Sequence, residues 1–71
     1  MKIFFTKHFK QRLKERSISI FQIYQIIKYP DYREKVHQDR ILLRKHFGSR
    51  SINLICVIKN KKIIIITTYS K

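Results

Sequence analysis

The sequence predicts an α+β domain in which two N-terminal helices pack on one face of a four-stranded antiparallel sheet. The front of the chain shows helical periodicity with two capping signals, whereas residues 32–69 form short alternating or continuously apolar segments divided by turn residues. Helices followed by a run of strands are typical of α+β architecture. The chain has 71 residues, so residues 1–71 are expected to form one domain.

The first helix is predicted over residues 7–16. Thr6 comes before it, and a threonine hydroxyl can accept a hydrogen bond from an N–H of the first turn. Phe9 and Leu13 are four residues apart, which places both on the side facing the core. Residues 1–5 are apolar and extended, which is compatible with a short strand.

The second helix begins at a clearer signal. Ser19 and Gln22 have the spacing of a capping box, and Ile18 and Ile23 have the spacing of a hydrophobic staple. Pro30 disfavours helical geometry at the residue before it, so the helix is expected to end near residue 28.

Four strands are predicted over residues 32–38, 40–47, 52–58 and 63–69. Turns are expected at residues 38–39, 48–50 and 60–61. Side chains alternate between the two faces of a strand. In the second strand this places one set on the face away from the core: Arg40, Leu42, Arg44 and His46. In the last strand, strict alternation places Ile63, Ile65, Thr67 and Tyr69 on one face.

The charge of the chain points to a polyanionic partner. There are 17 Lys and Arg against 4 Asp and Glu, a net charge of +13. A strong positive field on a small domain favours binding of RNA, DNA or an acidic protein. The apolar segments are too short for a transmembrane helix or a signal peptide, and one cysteine cannot form an internal disulfide. We therefore expect a cytoplasmic protein with no membrane partner.

A row of basic residues follows the first helix. His8, Arg12 and Arg16 are spaced by four residues, so they lie beside the Phe9 and Leu13 stripe. Two guanidinium groups there can clamp a phosphate, and a histidine can transfer a proton near neutral pH. A solvated basic helix face explains the same spacing equally well. Tyr69 likewise has two interpretations, a stacking partner for a base or an aromatic plug at the rim of the sheet.

Several chemistries lack the residues they need. No paired carboxylates have the spacing of a two-metal nuclease, and the three histidines have no metal-binding spacing. Cys56 lies in an apolar strand and is expected to be a buried thiol. No metal or other cofactor is therefore predicted. Cleavage of RNA would proceed through attack by its own 2′-OH, with a proton-transferring group and cations to stabilise the phosphorane.

The order of motifs resembles a family of small RelE-like domains. The resemblance rests on the row His8, Arg12 and Arg16, the step at residues 17–19, the Tyr-Pro-Asp end of the second helix at residues 29–31, and the finish at residues 65–69. It covers nearly the whole chain. Ser17 stands where the family pattern has a glycine.

The resemblance implies membership in the RelE/ParE/BrnT toxin-like group, many of which are ribonucleases of toxin–antitoxin systems. It then implies a metal-independent endoribonuclease in which catalysis is carried out by His8, Arg12, Arg16, Arg44 and Tyr69. Further nucleic-acid contacts are expected from Lys7, Arg40, His46 and Thr67. The implied partners are RNA, an acidic antitoxin and the ribosome. Two alternatives stay open, a basic nucleic-acid-binding module without catalysis and a toxin-like domain that acts on a protein.

Overall fold

A computed structural model describes residues 2–70, and residues 1 and 71 of the expected domain lie outside this range. The elements, in chain order, are β1 (Lys2–Phe4), α1 (Lys7–Glu15), α2 (Ile20–Lys28), β2 (Tyr32–Lys35), β3 (Arg40–Phe47), β4 (Arg50–Lys59) and β5 (Lys62–Ser70).

Both helices begin at the caps that the sequence predicts. The Phe9 N–H donates to Thr6 Oγ1 at 3.1 Å, and the Ser19 and Gln22 pair forms both bonds of the capping box. The first helix closes with a Schellman motif, in which the Ile18 N–H donates to the Leu13 carbonyl at 2.9 Å. Ser17 occupies the left-handed position of this motif with φ of 55°.

The sheet differs from the predicted one. It has five strands in the order β1-β5-β4-β3-β2, and β1 runs parallel to β5. The prediction of a four-stranded antiparallel sheet is therefore wrong, although the four later strands do pair in antiparallel fashion. The extended segment expected at the start of the chain does form a strand, but β1 has only three residues, too few for a pattern that would show with which strand it pairs. Its partner lies at the other end of the chain, with Lys2 opposite Lys62.

The hydrophobic core lies between the helices and one face of the sheet. Phe9 and Leu13 of α1 and Ile23 and Ile26 of α2 are buried in it. The sheet contributes the remaining strand residues of this core, Ile41, Leu43, Ile52, Leu54, Cys56, Ile63 and Ile65. We call this side of the sheet the helix face and the other side the open face, because within residues 2–70 neither helix packs against it.

A β-bulge in β5 corrects a second prediction. Cys56 pairs with Ile65 and Ile55 pairs with Thr67, so Ile66 is an extra residue that reverses the alternation. Ile63 and Ile65 point to the helix face, whereas Thr67 and Tyr69 point to the open face with Ile55 and Asn53, their partners on β4. The four residues thus do not share one face, because strict alternation cannot anticipate a bulge.

Candidate nucleic-acid interface

Four polar and aromatic residues form one row across the open face. Tyr32 pairs with Arg44, Arg44 with Asn53, and Asn53 with Tyr69. Directly paired residues of antiparallel strands project to the same side, so all four side chains lie together. We call this set the cross-strand row. It covers three inter-strand spacings and is therefore about 14 Å long.

Arg44 is held at the centre of the row. Its Nε donates to Asn53 Oδ1 at 2.6 Å, and its guanidinium lies over the Tyr32 ring, 5.1 Å from the ring centroid. These contacts use Nε and one face of the guanidinium. The terminal N–H groups make no hydrogen bond to a described residue, so they remain available to an anion.

Asn53 is the least expected residue of the site. It is fully buried, and its Nδ2 has no hydrogen-bond partner among the described residues. Buried amide donors are almost always satisfied, so the Asn53 amide is an unusual polar group beneath the Arg44 guanidinium, at the centre of the cross-strand row. The sequence does contain a signal for Asn53, since a polar residue inside an otherwise apolar strand is a candidate for a functional position.

A histidine lies next to the row. His46 is two residues beyond Arg44 on β3, and its Nδ1 lies 2.6 Å from Ser51 Oγ on the neighbouring strand. This contact orients the ring, and Nε2 has no hydrogen-bond partner among residues 2–70, so this nitrogen can exchange a proton with a bound molecule. His46 is exposed, so its free nitrogen is accessible to a ligand on the open face.

The loop before β2 fixes this part of β3. The Asp31 carboxylate accepts from the His46 backbone N–H at 2.8 Å, and the Asp31 N–H donates to the Arg44 carbonyl at 2.8 Å. The hydrogen bond from His46 lowers the pKa of Asp31, and the nearby Lys45 ammonium adds to this effect. On β2, the hydrogen bond from Tyr32 to the Glu34 carboxylate raises the pKa of Tyr32.

The end of α1 is tied to the strand that carries Tyr69. The Arg16 guanidinium donates to the Thr68 carbonyl, which lies along the free edge of β5 beyond its pairing with β1. Arg50 also reaches this corner, and its guanidinium donates to the Ser17 carbonyl at 2.8 Å and to the Arg16 carbonyl. Arg16 and Arg50 therefore hold the C-terminal end of α1 against β5 and β4 on the helix face, close to the strand segment that carries Tyr69.

The predicted site residues divide into two groups. The open face brings together Arg44, His46, Tyr69, Thr67 and Arg40, and Arg16 lies at its edge. Lys7, His8 and Arg12 lie on the exposed side of α1, and none of the three side chains makes a hydrogen bond or ion pair within residues 2–70. Sequence reasoning missed three members of the site, Tyr32, Ser51 and Asn53.

The remaining chemical predictions concern cysteine, metals and membranes. Cys56 is fully buried in the core, as predicted, and burial raises the pKa of its thiol. No group of three or more His, Cys, Asp or Glu is placed to hold a metal ion in the described part of the chain. Neither of the two described helices is long and apolar enough to span a membrane.

Comparison with protein families gives one result. The model of a domain of unknown function, DUF4258, matches residues 5–70, which is nearly the whole chain. The chain belongs to the DUF4258 family. No curated protein and no solved structure gives a significant match. The DUF4258 description states no activity, so the RelE-like resemblance remains a prediction.

Proposed function

We propose that this DUF4258 domain is a metal-independent endoribonuclease, the toxin of a cytoplasmic toxin–antitoxin pair, and that it binds RNA on its open face. The observation that carries the proposal is the cross-strand row with His46 beside it. The row combines an arginine with free N–H groups, an unpaired buried amide and two tyrosines. These are the groups that hold a phosphate and its neighbouring bases on a sheet.

The charge balance supports an RNA ligand. Among residues 2–70 the one ion pair joins Lys45 to Asp31, with 3.9 Å between nitrogen and oxygen. No other cation in the described part of the chain forms an ion pair with a carboxylate. A polyanion that binds the open face would release its counterions, which makes binding tight and sensitive to salt. An acidic antitoxin would compete for the same surface, and a ribosome-bound message would offer the same phosphates.

The proposed reaction transfers the scissile phosphoryl group within the RNA. The 2′-OH attacks phosphorus as a base accepts its proton, and the bond to the 5′-oxygen breaks as an acid protonates it. The products are a 2′,3′-cyclic phosphate and a 5′-OH end. Arg44 and Arg16 would stabilise the charge of the phosphorane, and Tyr69 would orient a nucleotide.

The structure favours His46 for the proton transfer. The resemblance implies His8, but His8 lies on α1 and forms no hydrogen bond with the cross-strand row in the described structure, whereas His46 is two residues from Arg44 on β3. General acid–base catalysis requires a group within hydrogen-bond reach of the moving proton. Both histidines therefore belong in the test.

The experiment is an incubation of the purified domain with a mixed-sequence RNA in EDTA, followed by analysis of the fragment ends. We expect cyclic phosphate ends, lost in Arg44→Gln and His46→Gln. Arg33→Gln is the matched control, since it removes one arginine from the helix face of β2, and it should cut normally. If His46→Gln cuts like the wild type and His8→Gln does not, the proton-transfer role belongs to His8.

A non-catalytic RNA-binding module is the second candidate. It is favoured by one observation, that the cross-strand row has only one imidazole beside it and Nδ1 of that imidazole is already in contact with Ser51. RNA that stays whole but shifts in a low-salt gel, with the shift reduced in Arg44→Gln, would establish this function. RNA that neither breaks nor shifts would direct attention to a protein target.

A further inference from the structure

A second concave site lies on the helix face, away from the cross-strand row. It is a cavity of about 500 Å³ between α2 and the helix face of the sheet, and each of the five strands contributes one residue to its lining. Its apolar lining is Ile3, Ile27, Leu43, Ile58 and Ile63, and Tyr24 and Pro30 complete the wall. The volume lies in the range of small-molecule pockets, which are mostly apolar with a few charged or polar groups.

Two cations line this apolar cavity. Lys28 belongs to the last turn of α2, and Arg33 projects from β2 to the helix face. Neither forms an ion pair with a described residue, and none of the four carboxylates of the chain lines the cavity. The lining therefore combines a hydrocarbon surface with two cations that form no ion pair within the described residues.

The exposed apolar residues of the cavity distinguish Lys28 and Arg33 from ordinary solvated lysine and arginine side chains. Long basic side chains often cover apolar surface with their stems. Here, apolar surface stays uncovered beside them, because Ile58 is 37% exposed and Tyr24 is 42% exposed. A contiguous exposed apolar surface with a charged rim is characteristic of a binding site.

We propose that this cavity binds a small amphiphilic anion, a molecule with one carboxylate or phosphate head and a hydrocarbon body of medium length. The head lies between Lys28 and Arg33, and the body lies against the isoleucines of β1, α2, β4 and β5. The positive charges of Lys28 and Arg33 favour an anionic ligand. The apolar lining favours an anion that carries a hydrocarbon chain over inorganic phosphate, which has none. The proposal is independent of RNA binding, because the two sites lie on opposite faces of the sheet.

The test is a calorimetric titration of the full-length domain with decanoate below its micellar concentration. We expect saturable one-to-one binding, and weaker binding by roughly fivefold or more in Lys28→Gln and in Arg33→Gln, the loss of one charged contact. Decyltrimethylammonium, which has the tail but a positive charge, should give no saturable binding, and inorganic phosphate, which lacks the tail, should not compete with decanoate.

Two matched variants separate the cavity from the general charge of the domain. Lys35→Gln removes a cation from the same face of β2 outside the cavity and should bind like the wild type. Ile58→Trp fills the cavity and should abolish binding, whereas Ile64→Trp, at a similarly exposed isoleucine on the open face, should not. Non-saturable binding, equal losses in Lys35→Gln and Arg33→Gln, or full binding by Ile58→Trp would each overturn the proposal.

Discussion

Substitution of Ser17 by glycine should stabilise the domain. Ser17 is the left-handed residue of the Schellman motif that ends α1, with φ of 55°. A side chain in that region costs roughly 1–2 kcal/mol because Cβ approaches the neighbouring carbonyl oxygen, and glycine removes this cost. Glycine also gives the unfolded chain more freedom, which offsets roughly 0.5–1 kcal/mol. The expected net gain lies between about 0 and 1.5 kcal/mol.

The hydrogen bonds of the Schellman motif should be unaffected by the substitution of Ser17 by glycine. The hydrogen bonds at this position come from the backbone, namely the Ser17 N–H to the Lys14 carbonyl and the Arg50 guanidinium to the Ser17 carbonyl. Glycine keeps both. For a domain of this size, about 1 kcal/mol corresponds to an increase in Tm of roughly 4–8 °C.

The assay is thermal and urea unfolding followed by circular dichroism. Ser49→Gly is the matched control, because Ser49 lies in the β3–β4 turn without a positive φ, so glycine there should leave stability unchanged or lower it. A Ser17→Gly variant that is less stable than the wild type, or no more stable than Ser49→Gly, would refute the reasoning. RNA binding should be the same in both variants.

Three further predictions concern charge, the thiol and the core. The pKa of Asp31 is lower in the folded state than its ordinary value of 3.8. The ionised carboxylate should therefore stabilise the fold at pH values above 3.8, and this contribution should be lost as the pH falls through the pKa of the folded state. The stability difference between wild type and Asp31→Asn, measured in urea, should therefore be constant near neutrality and vanish in acid. A constant difference at pH 2 would contradict this account. Cys56 should react with a thiol reagent only in denaturant, since it is fully buried and burial raises its pKa; rapid reaction of the native protein would contradict its burial. Leu54→Ala should lower the free energy of unfolding, measured in urea, by about 2–5 kcal/mol, because Leu54 is fully buried. A decrease below about 1 kcal/mol would contradict the tight packing of Leu54 in the core.

Local signals in the sequence were sufficient for the helices. Thr6, Ser19 and Gln22 act within one turn of their own positions, so their capping bonds follow from spacing alone. The alternation in β3 also held, with Ile41 and Leu43 in the core and Arg44 and His46 on the other face. In each case the pattern and the contact lie in the same short segment.

Long-range pairing was what the sequence could not show. An extended segment at residues 1–5 was compatible with a strand, but the register of β1 depends on a partner near residue 62, and three residues carry too little pattern to indicate that pairing. The bulge at Ile66 changes the face on which Tyr69 lies, and an unbroken run of isoleucines gives no sign of it. The same bulge assembles the cross-strand row, so the candidate site depends on the feature that alternation missed.

The most direct test of the open-face interface is a ¹⁵N-detected titration of the domain with a single-stranded RNA oligonucleotide. The side-chain amide of Asn53 gives its own signal, and its Nδ2 is the buried donor that lacks a partner within the described residues. We expect this signal, the Arg44 Nε signal and the Tyr69 backbone amide to shift together and saturate at one concentration. Shifts confined to α1 around His8 and Arg12, with the Asn53 side chain unchanged, would contradict the proposed interface.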